Sequence, residues 1–211
     1  MLKKNISLIH LIFGCCWLLV FGGWTWLIIS HDPLITTLDQ SASNFFQPLT
    51  TPATTRIVTA FTNLAAQPWT SIWALLIAFW ISTQKNWLQG VGYFLLFNLA
   101  SFCHHLLKNW LARPRPSERL VQVGGFSYPS GHTFAALLLV FSILALLRIF
   151  SYSQKAYLIW AILGWGLIIL VAASRVYLHA HFLSDTLGSL FLASTGWQLL
   201  LGVHRCFKSQ K

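Results

Sequence analysis

The stretch Ala156-Tyr-Leu-Ile-Trp-Ala-Ile-Leu-Gly-Trp-Gly-Leu-Ile-Ile-Leu-Val-Ala-Ala-Ser174 runs through nineteen residues without a charge. A helix of that length crosses a hydrocarbon layer of about 30 Å and satisfies its backbone hydrogen bonds internally. Working outward from it, comparable apolar runs lie at about 7–29, 58–82, 87–107, 132–150 and 184–203. Six such runs, with 156–174 among them, predict an all-α polytopic membrane protein folded as one bundle over residues 1–211. The first run is expected to stay as a helix: Trp24 and Trp26 continue it, and no small-residue cleavage pattern follows.

Composition agrees. The chain is 56% hydrophobic and 9% charged, against about a quarter charged in soluble domains. Trp87 and Trp110 near predicted span ends fit interfacial belts. Segment 31–57 is rich in Pro, Ser and Thr, and its centre, Leu38 to Phe46, is predicted to form a short amphipathic helix on the outer membrane surface. The net charge of +10 comes from basic residues scattered between apolar runs. Such scatter excludes a nucleic-acid stripe and points to the lipid bilayer as partner. Asp32, Asp39, Glu118 and Asp185 are the whole acidic complement, and Cys15, Cys16, Cys103 and Cys206 have no ligand spacing. A multi-carboxylate metal centre therefore has no raw material, and neither metal nor other cofactor is expected.

Polar residues concentrate in three places. In Lys108-Asn-Trp-Leu-Ala-Arg113-Pro-Arg115-Pro116, two Arg-Pro pairs stop the helix and hold extended backbone, so guanidinium groups can aim at a fixed point. Snorkelling anchors at a span end are the other reading. In Tyr128-Pro129-Ser130-Gly131-His132, Ser130 is an N-cap candidate and Gly131 leaves backbone N–H groups uncovered beside an imidazole, which makes an anion site or simply a capped interfacial helix. In Ser174-Arg175-Val-Tyr-Leu-His179-Ala-His181-Phe-Leu-Ser184-Asp185, His181 and Asp185 are four apart, which predicts one helical face and a carboxylate that accepts the imidazole N–H. A helix-dipole role for Asp185 is the alternative. Taken together, cations, backbone donors, two imidazoles and a carboxylate suit metal-free phosphoryl transfer.

The ordered pattern Lys108-x6-Arg115-Pro116, Pro129-Ser130-Gly131-His132 and Ser174-Arg175-x5-His181-x3-Asp185 resembles the signature of the type-2 phosphatidic acid phosphatase family, in its bacterial six-span membrane branch. The resemblance implies that His181 is a nucleophile forming phosphohistidine, Asp185 its orienting acid, and His132 the acid for the leaving group and later the base for water. It implies a phosphate cradle of Lys108, Arg115, Ser130, Gly131 and Arg175, with no metal. His179 and Leu183 stand where many members carry Gly and Pro. His104 and His105, one turn before Lys108, are read as polar residues packed in the bundle.

The expected activity is hydrolysis of a membrane lipid phosphate or pyrophosphate. Undecaprenyl pyrophosphate ranks first, phosphatidylglycerophosphate second, and phosphatidic acid and diacylglycerol pyrophosphate after them; transfer to another lipid would use the same residues. A membrane module that transports or binds anionic lipid without turnover is the alternative of another class, but the paired repeats of transporters are not visible. With Lys108, Arg115 and Arg175 set aside as functional, the loop charges are Lys3, Lys4, Lys85, Arg148, Lys155, Arg205, Lys208 and Lys211 against Arg56, Arg113 and Arg119. The bias puts both termini in the cytoplasm and the active site on the outer side of a bacterial cytoplasmic membrane. The shortage of carboxylates sets a first test: excess EDTA leaves the rate of phosphate release unchanged, and loss of activity restored by Mg²⁺ or Zn²⁺ would refute a metal-free scheme.

Overall fold

The computed structural model describes residues 2–209, with side chains from Ile6 to Cys206. The side chains of Lys3, Lys4 and Lys208, and all of Lys211, counted above toward the cytoplasmic charge, lie outside the described residues. The described chain is helical: α1 (Leu2–Ile29), α2 (Pro33–Phe46), a short 3₁₀ turn, α3 (Pro52–Asn63), α4 (Trp69–Gln84), α5 (Trp87–Leu111), α6 (Gly131–Ile149), α7 (Gln154–Tyr177) and α8 (Leu183–Ser209). Five of these, α1, α5, α6, α7 and α8, are long and apolar enough to cross a membrane. They match five of the six expected runs; α8 also continues through the stretch around Cys206 that reads as a basic tail.

The run at 58–82 is not one helix. α3 ends at Asn63 and α4 restarts at Trp69, because Pro68 has no N–H to donate and disfavours helical backbone at Gln67 before it. α4 is left with 16 residues, about 24 Å of helix. It packs along the half of α5 away from the candidate residues. Ser71 near its start reaches Asn98 of α5, and beyond its end the Lys85 ammonium lies 5.2 Å from the Phe150 ring, just past α6 at the opposite end of the bundle.

α6 is the central helix, with Thr133 and Leu137 fully buried and Phe134, Leu138 and Leu144 in a core shared with Phe97 of α5 and Ala193 of α8. Outward-facing apolar residues such as Ile162 of α7 and Phe79 of α4 remain exposed on the outside of the bundle. α1 and α8 pack antiparallel and bring the two ends of the chain together: Ser7 Oγ lies 3.0 Å from Cys206 Sγ, and His10 Nδ1 lies 2.7 Å from Gln198 Oε1. At the other end Trp24 donates to the Ser184 carbonyl and Thr25 meets the Tyr128 hydroxyl at 2.8 Å. The helix predicted at 38–46 begins earlier, at Pro33, where Asp32 caps it by accepting from the Leu34 N–H and proline at the first helical position loses nothing.

The candidate residues gather at this second end, where α5 and α7 finish and α6 and α8 start. α5 stops at Leu111, with Ala112 in the left-handed region at φ 48° and two Arg-Pro pairs beyond. The loop before α6 is pinned by Tyr128, which packs against Gly188 of α8. A Cβ at position 188 would collide with the Tyr128 ring, so the close approach requires glycine.

Candidate active site

Lys108 leaves the last turn of α5, is buried, and donates through Nζ to the Pro129 carbonyl at 2.9 Å and the Ser127 carbonyl at 3.3 Å. Arg115 donates through Nη1 to the Ala180 carbonyl at 2.6 Å, and the same nitrogen lies 3.1 Å from His181 Nε2. Arg175, from the last turn of α7, is 2% exposed and its Nε has no partner. Ser130 holds the N-cap position of α6 but makes no capping bond; instead its Oγ accepts from the Thr133 hydroxyl at 3.1 Å. The start of α6, at Gly131 and His132, therefore keeps N–H groups without a side-chain cap, the usual condition for anion binding.

His181 is not on α8, as the i, i+4 spacing predicts, but in the loop before it, since α8 opens at Leu183. The pair still meets: His181 Nδ1 lies 3.4 Å from Asp185 Oδ2. The expected hydrogen bond is not closed, because Nδ1 has no bonded partner and Asp185 Oδ2 instead accepts from the Phe182 N–H at 2.9 Å. Asp185 thus serves the helix N-terminus while standing beside the imidazole without a closed bond to it. A guanidinium can only donate, so the Arg115 contact makes Nε2 the acceptor nitrogen of His181 and assigns the proton to Nδ1, on the carboxylate side.

Sequence reasoning missed two residues that hold this geometry. Arg113 donates through Nη1 to Asp185 Oδ1 at 2.5 Å and Ser184 Oγ at 2.7 Å, and through Nη2 to Asp39 Oδ2 at 2.8 Å, while its guanidinium stacks 4.3 Å above the Phe182 ring. Asp39 of α2 accepts from the Ser184 N–H and hydroxyl as well, capping α8 from a different helix. The available signal was the pairing of Ile35 and Asp39 one turn apart on α2, both buried, since an acid on the apolar side of an amphipathic helix needs a partner.

Two cavities meet at Arg115. One, of about 530 Å³, is lined by Asp39, Arg113, His179 and His181; the other, of about 520 Å³, by His104, His105, Lys108, Gly131 and His132. His104 and His105 thus face a cavity as well as packing in the bundle. The departures from the family pattern fit the local backbone. His179 takes the left-handed conformation at φ 49° that favours glycine, and Leu183 takes the first helical position that favours proline. The loop closes all the same, with the Ala180 and His181 N–H groups both donating to the Arg175 carbonyl.

Burial, first, and then the positive charges of Lys108, Arg175 and Arg115 hold the His181 imidazole well below its ordinary value of 6.5. It is therefore neutral at pH 7, with a lone pair on Nε2 at the edge of a cationic cradle. Among the described residues no group of three or more His, Cys, Asp or Glu side chains is arranged to hold a metal ion.

The profile of the PAP2 superfamily matches residues 89–209, more than half of the chain and the whole of the site except Asp39. The chain belongs to the PAP2 superfamily. It is 29% identical over 166 residues to phosphatidylglycerophosphatase B of Bacillus subtilis strain 168, covering 77% of this chain and 81% of that protein. Its structure is similar to the crystal structure of the first transmembrane PAP2-type phosphatidylglycerolphosphate phosphatase from Bacillus subtilis, with a TM-score of 0.77, 25% identity, and coverage of 94% of this chain and 96% of that one. The PAP2 superfamily is the one that the three-part sequence pattern resembles.

The Arg113 clamp and the lowered His181 can each be measured. Arg113→Ala strips the cation from Asp185 and Asp39, so unfolding in detergent becomes easier by about 3–5 kcal/mol. Arg113→Lys fails to restore it, because one ammonium cannot fork to two carboxylates; a melting curve unchanged by Arg113→Ala would count against the clamp. For pH, a group whose folded value is depressed loses its neutral form only as pH falls through that lowered value. The acid limb of kcat/KM due to His181, corrected for substrate ionisation, accordingly lies below pH 6.5, and a His181 limb at or above 6.5 would contradict the assignment.

Proposed function

We propose that this PAP2 protein is an integral membrane lipid phosphatase that removes the terminal phosphate of phosphatidylglycerophosphate through a phosphohistidine on His181. The observation that carries the reading is the lone pair of His181 Nε2, held 3.1 Å from Arg115 and flanked by buried Arg175 and Lys108. In the first step the substrate's phosphate draws Arg115 off Nε2 and onto its own oxygens. Nε2 then attacks phosphorus, the bond to the leaving oxygen breaks in line, and protonated His132 gives that oxygen its proton. Asp185 takes up the charge that develops on the imidazole through Nδ1–H. In the second step His132 accepts a proton from water, the water oxygen attacks phosphorus, and the P–N bond breaks to release inorganic phosphate and neutral His181. Lys108, Arg115, Arg175 and Ser130, with the Gly131 N–H, hold the equatorial oxygens throughout.

Phosphatidylglycerophosphate takes precedence over undecaprenyl pyrophosphate, which ranks first on sequence alone, because both Bacillus subtilis relatives are named for it. No observation favours a transporter. α4 serves as the sixth crossing and α2 lies at the outer surface, with both termini in the cytoplasm and the site outside, an arrangement supported by the two chain ends meeting at the end of the bundle away from the site. The test is His181→Ala or His181→Gln, which abolishes turnover while leaving substrate binding and the folded bundle intact. Wild-type protein given radiolabelled substrate carries an acid-labile, alkali-stable phosphoryl group that the variants lack; full residual hydrolysis by either variant would overturn the assignment.

A further inference from the structure

Below the cradle, the cavity of about 520 Å³ continues between α4 and α5 into the depth of the bundle. On α5, Asn98, Ser101, His105 and Lys108 follow one another at spacings of three, four and three, which sets them on one helical face. That stripe descends about 15 Å from Lys108. It is faced across the cavity by Gln67, Thr70 and Ser71 at the start of α4. Polar residues strung along a membrane helix are costly unless they line a path for something polar. Below Lys108 the lining contains no Lys or Arg, so its hydrogen-bonding groups there are neutral and are set beside apolar side chains such as Ala66, Phe102 and Phe134.

Those groups are not satisfied among themselves. The Ser71 hydroxyl lies 3.0 Å from Gln67 Oε1 and 3.1 Å from Asn98 Oδ1, and Asn98 gives one of its two amide hydrogens to the Phe94 carbonyl. With the Gln67 amide turned to donate to Ser71, both contacts close, and what stays open is the second amide hydrogen of Asn98 and the exposed carbonyl of Gln67. Thr70 Oγ1 and His104 Nε2 are buried without partners. In hydrocarbon surroundings such groups favour a guest that brings hydroxyls and carbonyls of its own.

We propose that this stripe is a leaving-group subsite that selects glycerophospholipids with a hydroxylated headgroup over prenyl pyrophosphates. The inference rests on the phosphatase reading above and adds the residues that choose among its substrates. In a prenyl pyrophosphate an apolar chain begins directly after the leaving phosphate and would lie along the polar stripe. In phosphatidylglycerophosphate the leaving oxygen belongs to a glycerol with a free hydroxyl, followed by a phosphodiester and the acyl-ester carbonyls. That polar succession is comparable in length to the stripe.

The experiment uses full-length protein, as wild type, Asn98→Leu, Gln67→Leu and the amide-retaining Asn98→Gln and Gln67→Asn. The substrates are phosphatidylglycerophosphate, undecaprenyl pyrophosphate and p-nitrophenyl phosphate. The Leu variants lose about tenfold in kcat/KM on phosphatidylglycerophosphate, through KM. They hydrolyse undecaprenyl pyrophosphate as well as or better than wild type and leave p-nitrophenyl phosphate unchanged, which reports an intact cradle. The amide-retaining variants recover part of the loss. Equal losses on the two lipids, or none on phosphatidylglycerophosphate, would overturn the subsite and leave the phosphatase reading standing. If the Leu variants also lose p-nitrophenyl phosphate activity, the amide-retaining pair decides. Each keeps the amide but moves it by one methylene, so the ratio of kcat/KM between the two lipids shifts, and a ratio unchanged in both refutes the proposal. Failure of wild type to hydrolyse either lipid, or of the His181→Ala protein to bind them, would instead remove the phosphatase reading on which the subsite rests.

Discussion

Arg113 forks between two buried carboxylates, Asp39 on α2 and Asp185 on α8, and the geometry of the site hangs on that fork. A carboxylate as buried as Asp185 needs a cation and hydrogen-bond donors to stay charged. Arg113 supplies the cation and the Phe182 N–H supplies a further donor. With both oxygens of Asp185 held, the Nδ1 side of His181 faces a fixed charge, and the opposite nitrogen is turned toward Arg115 and the cradle. Asp39 extends the same fork to the start of α8 by accepting from Ser184, so α2 is tied to the His181 loop and α8 by charge as well as by apolar packing.

The positive charge around His181 has two consequences. Together with burial it keeps the imidazole neutral, and it is electrostatically costly in itself, since Lys108, Arg115 and Arg175 repel one another. The structure relieves part of that cost with carbonyl oxygens: Ser127 and Pro129 receive Lys108, and Gly124, Gly125 and Ala180 receive Arg115. In the proposed reaction a phosphate dianion replaces these partners, which ties substrate binding to release of Nε2. The same carbonyls hold the loop between α5 and α6 in place although it contains no regular structure.

The break between α3 and α4 is as important as the helices. A continuous helix over 58–82 would close the space beside α5, whereas the turn at Pro68 places Gln67 and Thr70 opposite Asn98 and Ser101 and leaves a polar opening beside the cradle. The bundle thereby combines a wet, charged end with an otherwise apolar body.

The membrane bundle was legible in the amino-acid order, because an uncharged run of about 20 residues has few alternatives to a spanning helix. The three polar segments that carry Lys108, Arg115, His132, Arg175, His181 and Asp185 were legible too, because the spacing within each is local, and the structure brings those segments to one end of the bundle. What joins them was not legible. Asp39 lies far from Arg113 and Asp185 in the chain, so no periodicity links the three, and Ser184 is capped from another helix rather than from its own flank. The position of His181 off α8, the bond not closed to Asp185, and the division of one apolar run into α3 and α4 likewise depended on competing partners for the same backbone groups, and that competition is settled only when distant segments pack together.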